Sequence, residues 1–419
     1  MAHFLCTMYP LHLKGYAMNK NLTLPYSIHQ FAYWAASAGI ISFATAFLLE
    51  KGFPASQVGL LMACANILSG VTQPLLASLA DRARTCILSP MMISLCSVST
   101  AAFALLLLDA LPASLFGALY LLGVWSFDSM IPLMNSTSVY YNSFGYYINY
   151  GVARGVGSLA YSLAALSLGY VIRLLGPNWM LGCILVLLPI CILTILSYPK
   201  IPERVISTQP KAQYTTADTS SVAEFFLRYR WYCASLLGIL LLAMFHSMTE
   251  NYLIAIMGRL GGDSRHVGIA LFIATAVEAL VLFGFNQIRA RISDHWLIRI
   301  AAFSFLLKSV LFLLAPSIPF LYAVQLLQMT SYSFLSPVQI YYASEKVAPS
   351  DMVKGQAFIT ASYTLGCAMG NLAGGQLMQH YGVSAILIAG VIIASLGTLI
   401  LLFTIERKDT CSLPYPTLS

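Results

Sequence analysis

The sequence predicts an all-α polytopic membrane protein with twelve transmembrane helices in two pseudo-symmetric six-helix bundles. Of the 419 residues, 59% are hydrophobic and only 9% are charged, whereas a soluble domain carries about 25% charged residues. The apolar residues form long continuous runs, which indicate helices because the strands of membrane barrels alternate instead. One long polar stretch, residues 199–229, separates two apolar blocks of nearly equal length, 26–198 and 230–404.

Twelve apolar segments are long enough to cross a membrane, since a helical span needs about 20 apolar residues. They are 27–49, 56–80, 87–108, 112–137, 149–175, 179–198, 231–257, 267–288, 296–315, 318–342, 355–379 and 384–404. The predicted organisation is an N-terminal tail (1–26), a first bundle (27–198), a linker (199–230), a second bundle (231–404) and a C-terminal tail (405–419).

The placement of basic residues predicts the topology. When alternate loops are assigned to one side, most lysine and arginine residues fall on the side that carries both termini and the linker. Cytoplasmic loops carry such an excess, so we expect both tails and the linker in the cytoplasm, and the chain in the cytoplasmic or plasma membrane. This topology accounts for the net charge of +7 without a nucleic-acid partner. The expected partners are the bilayer and a small-molecule substrate, and we expect a monomer.

The residues do not suggest an enzyme or a cofactor site. The nine cysteines form no C-x-x-C pair and have no metal-ligand spacing, so we interpret them as small buried residues. The sequence also lacks an H-E-x-x-H pair and a Walker sequence, which argues against common zinc and nucleotide sites. We therefore expect a chain that is not an enzyme, with no metal, no cofactor and a proton gradient as the energy source.

An internal repeat supports two bundles. The fourth span ends in Val139–Ser143 (VYYNS) and the tenth in Ile340–Ser344 (IYYAS), and the spans that follow both close on a glycine, Gly176 and Gly382. These matches share an offset of about 200 residues, which is typical of a duplicated transporter half.

The fifth and eleventh spans are rich in small residues. Gly151 and Gly155 form one G-x-x-x-G motif, and Gly366, Gly370 and Gly374 form two in succession. Such faces let helices approach closely in lipid. We interpret them as packing faces, and a sliding contact between moving helices is the alternative.

The repeat and several local motifs resemble the major facilitator superfamily. Residues 150–158 (YGVARGVGS), 266–278 (HVGIALFIATAVE) and 325–328 (QLLQ) are similar to stretches of the branch that holds the lactose/proton symporter and the bacterial phenylpropionate permease. The resemblance covers nearly the whole chain. It implies the fold of that superfamily and transport by alternating access.

The loop after the second span resembles the gating motif of that superfamily, G-x-L-x-D-R-x-G-R-R. Leu79, Asp81 and Arg82 match it, whereas Ala77 and Arg84 replace glycines. The corresponding loop of the second half carries Arg289, Arg291 and Asp294. The resemblance implies that these residues form a charge network that holds one gating state. An ordinary basic cytoplasmic loop is the alternative.

Asp128, Arg154, Glu250, Glu278 and Lys308 are ionisable residues that lie within predicted spans. A charge at the bilayer centre costs at least about 2.5 kcal/mol, so each is expected to face a cavity or a partner. A structural ion pair is the alternative for each of them.

The resemblance implies a substrate role for Arg154, which matches an arginine of the fifth-span motif, and for Lys308, which lies where relatives carry a ninth-span arginine. Tyr161 corresponds to an aromatic residue that stacks on the sugar, and Asn135 to a fourth-span acid. The candidate substrate-binding residues are Arg154, Lys308, Tyr161, Asp128, Asn135, Gln328 and Trp34. Further polar and aromatic residues could complete the pocket, namely His29, Tyr33, Asn66, Gln73, Asn251, Tyr332 and Gln339.

Glu278 is the main candidate for proton coupling. Burial favours the protonated form of a carboxyl group and a nearby cation favours the ionised form, so Glu278 could load and release a proton. His246 and Glu250 lie on one helix face and are further candidates. Related permeases place titratable residues where this chain has Gln328 and Ser331, so lactose-type chemistry is not expected.

The predicted function is a secondary active transporter for a small organic solute, with proton symport as the expected coupling. An uncoupled facilitator and a drug or metabolite efflux antiporter are the alternatives within the same fold. A transporter-like sensor or a scramblase is a more remote alternative.

Overall fold

The computed structural model describes residues 21–82, 88–108, 111–201, 222–348 and 351–406, and these residues are nearly all helical. The helices are α1 (Thr23–Ser37), α2 (Ala44–Glu50), α3 (Ala55–Arg82), α4 (Leu88–Leu105), α5 (Ala113–Asp128), α6 (Ile131–Ser143), α7 (Tyr150–Leu175), α8 (Asn178–Leu196), α9 (Val222–Arg228), α10 (Arg230–Asn251), α11 (Leu253–Gly258), α12 (Ser264–Arg289), α13 (Asp294–Leu314), α14 (Ile318–Gln325), α15 (Tyr332–Lys346), α16 (Met352–Tyr381) and α17 (Val383–Thr404). A single bridge pairs Asn21 with Tyr147. We call residues 21–201 the first half and residues 222–406 the second half.

The predicted spans coincide with helices, but the count of twelve stays a prediction. Within the described residues, nine helices are long and apolar enough to cross a membrane, with α5 and α6 taken as one. A tenth results if α1 and α2, which are bent by 48°, form one span. The predicted tenth span is divided into short pieces around a 3₁₀ turn at Leu326–Met329. The predicted eleventh span, α16, is long but rich in glycine and polar residues.

The predicted tails and most of the predicted linker lie outside the described residues, as does Arg84. The domain boundaries drawn from the sequence therefore stay predictions.

Two helix pairs join the halves, α3 with α16 and α7 with α12. Both pairs cross at glycines. A Cβ atom on Gly169 would lie 2.9 Å from the Cα atom of Gly268, and one on Gly375 would lie 3.1 Å from the Cα atom of Gly59. Backbone therefore lies against backbone at both crossings, and a side chain at these positions would push the halves apart.

Three polar contacts lie at the same end of the bundle, which we call the crossing end. The hydroxyl of Tyr252 donates to the carbonyl of Ala55 at 3.4 Å. The amide of Ser56 donates to Oε1 of Gln379 at 3.0 Å. The guanidinium of Arg173 and the carboxylate of Asp263 form an ion pair at 2.7 Å. The two halves are thus held together at this end by backbone contact, hydrogen bonds and charge.

The predicted glycine faces have different roles. Gly366 and Gly370 lie against the backbone of α10, so they pack helices within the second half. Gly155 lies against the ring of Phe283 across the two halves, whereas Gly151 contacts no other helix among the described residues. The crossing glycines Gly59, Gly169 and Gly268 were not part of the predicted motifs.

Candidate functional site

A cavity of about 300 Å³ lies between the two halves. The first half lines it with Trp34, Ile41, Ser42, Met62, Asn66, Arg154, Ser158 and Tyr161. The second half lines it with His246, Ser247, Glu250, Asn251, Leu271, Ala274, Thr275, Glu278, Gln328, Tyr332, Tyr363, Cys367 and Asn371. The volume is at the small end of the range for small-molecule sites, which is about 300–1,000 Å³.

Interruptions of three helices place polar groups in this cavity. A π-helical segment, Ala38–Ser42, separates α1 from α2 and brings Ser42 to the wall. Helix α10 ends at Asn251, and the 3₁₀ turn between α14 and α15 carries Gln328. Interrupted helices in membrane proteins are tolerated where the chain lines a cavity, and π-helical segments are frequent at functional sites.

On the wall of the first half, Arg154 lies against an aromatic ring. The Cζ atom of its guanidinium is 4.0 Å from the ring centroid of Trp34, and Nη1 donates to Oγ of Ser158 at 2.8 Å. Gly157 leaves room for the Trp34 ring, since a Cβ atom there would lie 3.2 Å from the ring atom Cγ.

A hydrogen-bond chain behind Trp34 fixes its orientation. The indole N–H donates to Oε1 of Gln30 at 2.8 Å, and Nε2 of Gln30 donates to the hydroxyl of Tyr26 at 2.9 Å. That hydroxyl donates in turn to the carbonyl of Met134 at 2.9 Å. The guanidinium of Arg154 is therefore presented to the cavity by a rigid aromatic support, and a cation over an indole ring contributes about 0.5–2 kcal/mol.

The second half contributes a row of charged and amide groups that joins four helical segments. Nζ of Lys308 donates to Oε1 of Glu250 at 3.3 Å and to Oε1 of Gln328 at 2.8 Å. The amide oxygen of Gln328 accepts from Lys308, so the N–H₂ group of Gln328 is the end that faces Glu278. The order Glu250, Lys308, Gln328, Glu278 alternates acceptors and donors, and we call it the charge row.

Three further groups of polar residues complete the wall. The ring of His246 is stacked on Tyr332, with centroids 4.8 Å apart. Near the crossing end, Oδ1 of Asn371 accepts hydrogen bonds from Asn251 and from Oγ of Ser247, the latter at 3.0 Å. On the first half, the hydroxyls of Tyr161 and Ser42 are hydrogen-bonded to each other.

The structure brings most of the predicted site residues together. Seven of them line the cavity: Trp34, Arg154, Tyr161, His246, Glu250, Glu278 and Gln328. Lys308 lies behind the wall, fully buried, and contacts Glu250 and Gln328. The predicted proton sharing between His246 and Glu250 has no hydrogen bond to support it in the described part of the chain, where Nδ1 of His246 is buried without a partner.

Two predicted substrate contacts lie elsewhere. Asp128 is buried at the end of α5, within the first half, and is not among the lining residues. Asn135 lies on α6, where its Oδ1 accepts a hydrogen bond from the hydroxyl of Tyr150 at 3.3 Å. Neither is among the residues that line the cavity.

No group of three or more potential metal ligands occurs in the described ranges. The cavity offers amide, hydroxyl and guanidinium donors together with two carboxyl groups. That set can bind a polar organic solute and hold a proton.

A sequence model of the MFS_1-like family matches residues 23–389. The chain belongs to this family. A search of curated proteins finds no match.

Solved structures share the fold of this MFS_1-like protein. A point mutant of the nucleoside transporter NupG has a TM-score of 0.78 at 16% identity, and the alignment covers 92% of this chain and 100% of that one. An auto-inhibited POT family peptide transporter has a TM-score of 0.65 at 13% identity, with 94% and 98% covered. A bacterial homologue of the lysosomal transporter Spinster, inward-facing and occupied, has a TM-score of 0.65 at 15% identity, with 94% and 97% covered. At these identities the matches establish the fold, and the protein is a multi-pass membrane protein.

The gating-loop residues of this MFS_1-like protein are only partly described. Helix α3 ends at Arg82, directly after Asp81, and Arg84 lies outside the described residues. In the second half, Arg289 forms an ion pair with Asp294 at 2.8 Å and lies 3.7 Å from the ring centroid of Tyr341. Arg291 is exposed. The role of this loop in gating stays a prediction.

The sequence did not identify every residue that lines the cavity of this MFS_1-like protein. Ser42, Tyr363, Cys367 and Asn371 carried no charge and matched no motif, and Thr275 lies within the stretch 266–278 but was not singled out. Asn371 had one usable signal, since it is a carboxamide in the glycine-rich α16.

Proposed function

We propose that this chain is a secondary transporter that moves a small organic solute across the cytoplasmic membrane by alternating access and couples this movement to proton entry. The position of the cavity carries the proposal, because both halves line it and each contributes a charged residue. Transporters of this fold bind their substrates near the midplane, between two structural repeats. The transporter family and fold support the same function.

Glu278 is the proposed proton-coupling residue. It lines the cavity from α12 among apolar neighbours such as Ala274, and the charges of Arg154 and Lys308 act on it. Apolar surroundings favour a protonated carboxyl group and cations favour the ionised form. A rocking movement of the halves changes the distance to Arg154, which lies on the opposite wall, and so changes the balance between these effects.

The unpaired charge of Arg154 favours an anionic solute. Among the described residues no carboxylate oxygen lies within ion-pair distance of its guanidinium, whereas Lys308 is already paired with Glu250. An uncompensated cation inside a membrane is costly, and a carboxylate is the natural ligand for a guanidinium. We therefore propose a small organic acid as the substrate class, with its carboxylate on Arg154.

A neutral, ring-bearing solute such as a nucleoside is the second candidate. The carboxamides of Asn66, Asn251 and Asn371 offer donors and acceptors for hydroxyl groups and ring nitrogens. One protein of similar structure is a nucleoside transporter. The narrower resemblance to the lactose and phenylpropionate permeases stays a prediction.

Uptake into proteoliposomes under an imposed inward proton gradient tests the proposal. Organic acids, nucleosides and sugars are screened with a pH dye inside the vesicles, in the unmodified chain and in Glu278→Gln. We expect solute-dependent acidification that is lost in Glu278→Gln. The exposed Glu50 supplies the matched control, since Glu50→Gln removes a carboxylate that lies far from the cavity.

Other outcomes would replace the proposal. Solute entry without proton movement would indicate an uncoupled facilitator, and solute exit driven by proton entry would indicate an efflux antiporter. Unchanged acidification in Glu278→Gln would remove Glu278 as the coupling residue. Lipid exchange between leaflets without solute uptake would indicate a scramblase.

A further inference from the structure

Asp128 is a buried carboxyl group that the cavity does not use. It is only 9% exposed, and its Oδ1 atom is buried without a hydrogen-bond partner. No cation of the described residues lies within ion-pair distance of it. The other strongly buried carboxylate, Asp351, is different: Arg228 and Lys354 both lie 3.7 Å from its oxygens.

The protonated form of Asp128 fits these surroundings. An ionised carboxylate in an apolar interior needs a cation or several donors, and without them it is more stable when it carries a proton. The titratable groups that face it are phenols, Tyr33 from α1 and Tyr120 from α5 itself. From α3 it is faced by the neutral amide of Gln73. None of these groups supplies a positive charge.

Asp128 also lies at a break between two helices. Helix α5 ends at this residue, and α6 begins at Ile131 after a short turn. The turn is held by side chains of α3: Nε2 of Gln73 donates to the carbonyl of Asp128 at 3.0 Å, and the hydroxyls of Thr72 and Ser129 lie 3.0 Å apart. These donors are near enough to solvate an ionised Asp128 if the turn rearranges.

One aromatic residue connects this point to the cavity. The ring of Tyr33 is stacked on Phe127 at 4.2 Å between centroids, and its hydroxyl donates to the Phe127 carbonyl at 3.2 Å. Tyr33 precedes Trp34, with ring centroids 5.4 Å apart, and Trp34 supports Arg154. One stacked contact, one edge-to-face contact and one cation–π contact thus connect the turn to Arg154, the proposed substrate-binding residue.

We propose that Asp128 is a second proton-binding site, located in the first half, and that it releases its proton during each transport cycle. With the proton bound, the turn after α5 is closed and Arg154 is held on Trp34. Loss of the proton draws the donors of α3 towards the carboxylate and loosens that support. The transport cycle then moves one more proton than Glu278 alone carries. This proton stoichiometry rests on the proposed function.

Difference infrared spectroscopy of the purified protein tests the binding site without any substrate. We expect a carbonyl stretch of a protonated carboxyl group near neutral pH that disappears as the pH is raised. Part of this band should be absent in Asp128→Asn and fully present in Asp351→Asn, the paired control. If Asp128→Asn does not fold, the unmodified protein can be labelled with carbon-13 aspartate instead. The label should shift the part of the band that comes from Asp128. A band that neither the label nor Asp128→Asn affects would overturn the proposal.

Proton counting tests the release. In proteoliposomes with a solute found by the uptake screen, we expect Asp128→Asn, which cannot release a proton, to take up the solute more slowly and to move one proton fewer per solute molecule. An unchanged proton count would mean that Asp128 holds its proton permanently, which overturns the second site. Failure to find any transported solute would contradict the proposed function only, because the infrared result is independent of it.

Discussion

In the second half of the chain, Glu250, Lys308 and Gln328 are joined by hydrogen bonds of 3.3 and 2.8 Å, and Glu278 completes the row. In the first half, Arg154 faces the cavity on an aromatic support and Asp128 is buried within the bundle, and no ion pair involves either among the described residues. Both halves bury charge, but only one of them compensates it internally.

This difference suggests a division of roles between the halves. A charge that already has an ion-pair partner needs no ligand to neutralise it, whereas an uncompensated charge in a membrane favours a ligand or a proton that neutralises it. We therefore expect the second half to hold its charges in place until Glu278 changes its protonation state. In our proposal, the first half depends on a carboxylate at Arg154 and a proton at Asp128.

Of the variants considered, those that break the charge row should have the largest effect, which is a loss of stability. Lys308→Met leaves Glu250 without its cation, and removing one partner of a buried ion pair costs about 3 kcal/mol or more. We expect a clear fall in the apparent Tm of the purified protein in detergent. The double variant Lys308→Met/Glu250→Gln removes both charges, so it should recover most of the lost stability.

A control defines the origin of that loss. Lys51 is exposed at the end of α2, so Lys51→Met removes the same charge without leaving a buried carboxylate. Its Tm should stay close to that of the unmodified chain. Equal losses in Lys308→Met and in the double variant would contradict internal compensation, because the cost would then come from packing alone.

Changing the arginine of the first half should reduce transport with little effect on stability. Arg154→Lys keeps the charge but loses the planar guanidinium that lies on Trp34 and donates to Ser158. The loss of a charge-assisted hydrogen bond, about 1.5–3 kcal/mol, corresponds to a rise in KM of roughly 10- to 150-fold. Uptake kinetics of the transported solute measure this value.

The matched control is Arg299→Lys, at an ion pair with Glu406 of 2.7 Å that lies outside the cavity. We expect its KM to be unchanged and the Tm of both variants to be similar. A normal KM in Arg154→Lys would show that any cation serves at this position. The assignment of a carboxylate to the guanidinium fork would then be wrong.

The sequence was a good guide to which segments are helical and a poor guide to which way each side chain points from its helix. Arg154, Glu250 and Glu278 were expected to face a cavity or a partner because a charge within a span needs one, and all three line the cavity. The same rule placed Asp128 and Lys308 in the site. It cannot distinguish a residue that faces the cavity from one buried among neighbouring helices, because that choice depends on how the helices are rotated.

The interruptions of the helices were also beyond the sequence. The segment 318–342 was predicted as one span, yet it folds as two helices around the 3₁₀ turn that positions Gln328. Likewise, Gly59 and Gly375 lie in unremarkable contexts and were not predicted to touch. Both features are set by tertiary packing, since two glycines form a helix crossing only when they lie at the same level along the two packed helices.

The smallest expected effect concerns the crossing end, where the two halves meet independently of the buried charges. Burial raises the pKa of Asp263, but hydrogen bonds from His266 and Arg173 outweigh it, so its pKa lies below the usual range. A lowered pKa means that the stabilisation is complete above the usual aspartate value of about 3.9 and is lost only as the pH falls through the lower folded value. The contact of Asp263 with Arg173 therefore persists at every pH at which proton coupling operates.

Asp263→Asn removes this contact at all pH values. Because Arg173 is 61% exposed, the expected loss is about 0.2–1 kcal/mol, or at most about fivefold faster opening. Hydrogen exchange of the Ser56 amide, which donates to Gln379 across the crossing, reports that opening. Asp294→Asn, at the opposite end of α12, should leave this amide unchanged. If the protection of this amide, corrected for the intrinsic pH dependence of exchange, changed between about pH 5 and 8 in the unmodified chain but not in Asp263→Asn, a proton switch would instead lie at the crossing end and none would be needed at Glu278 or Asp128.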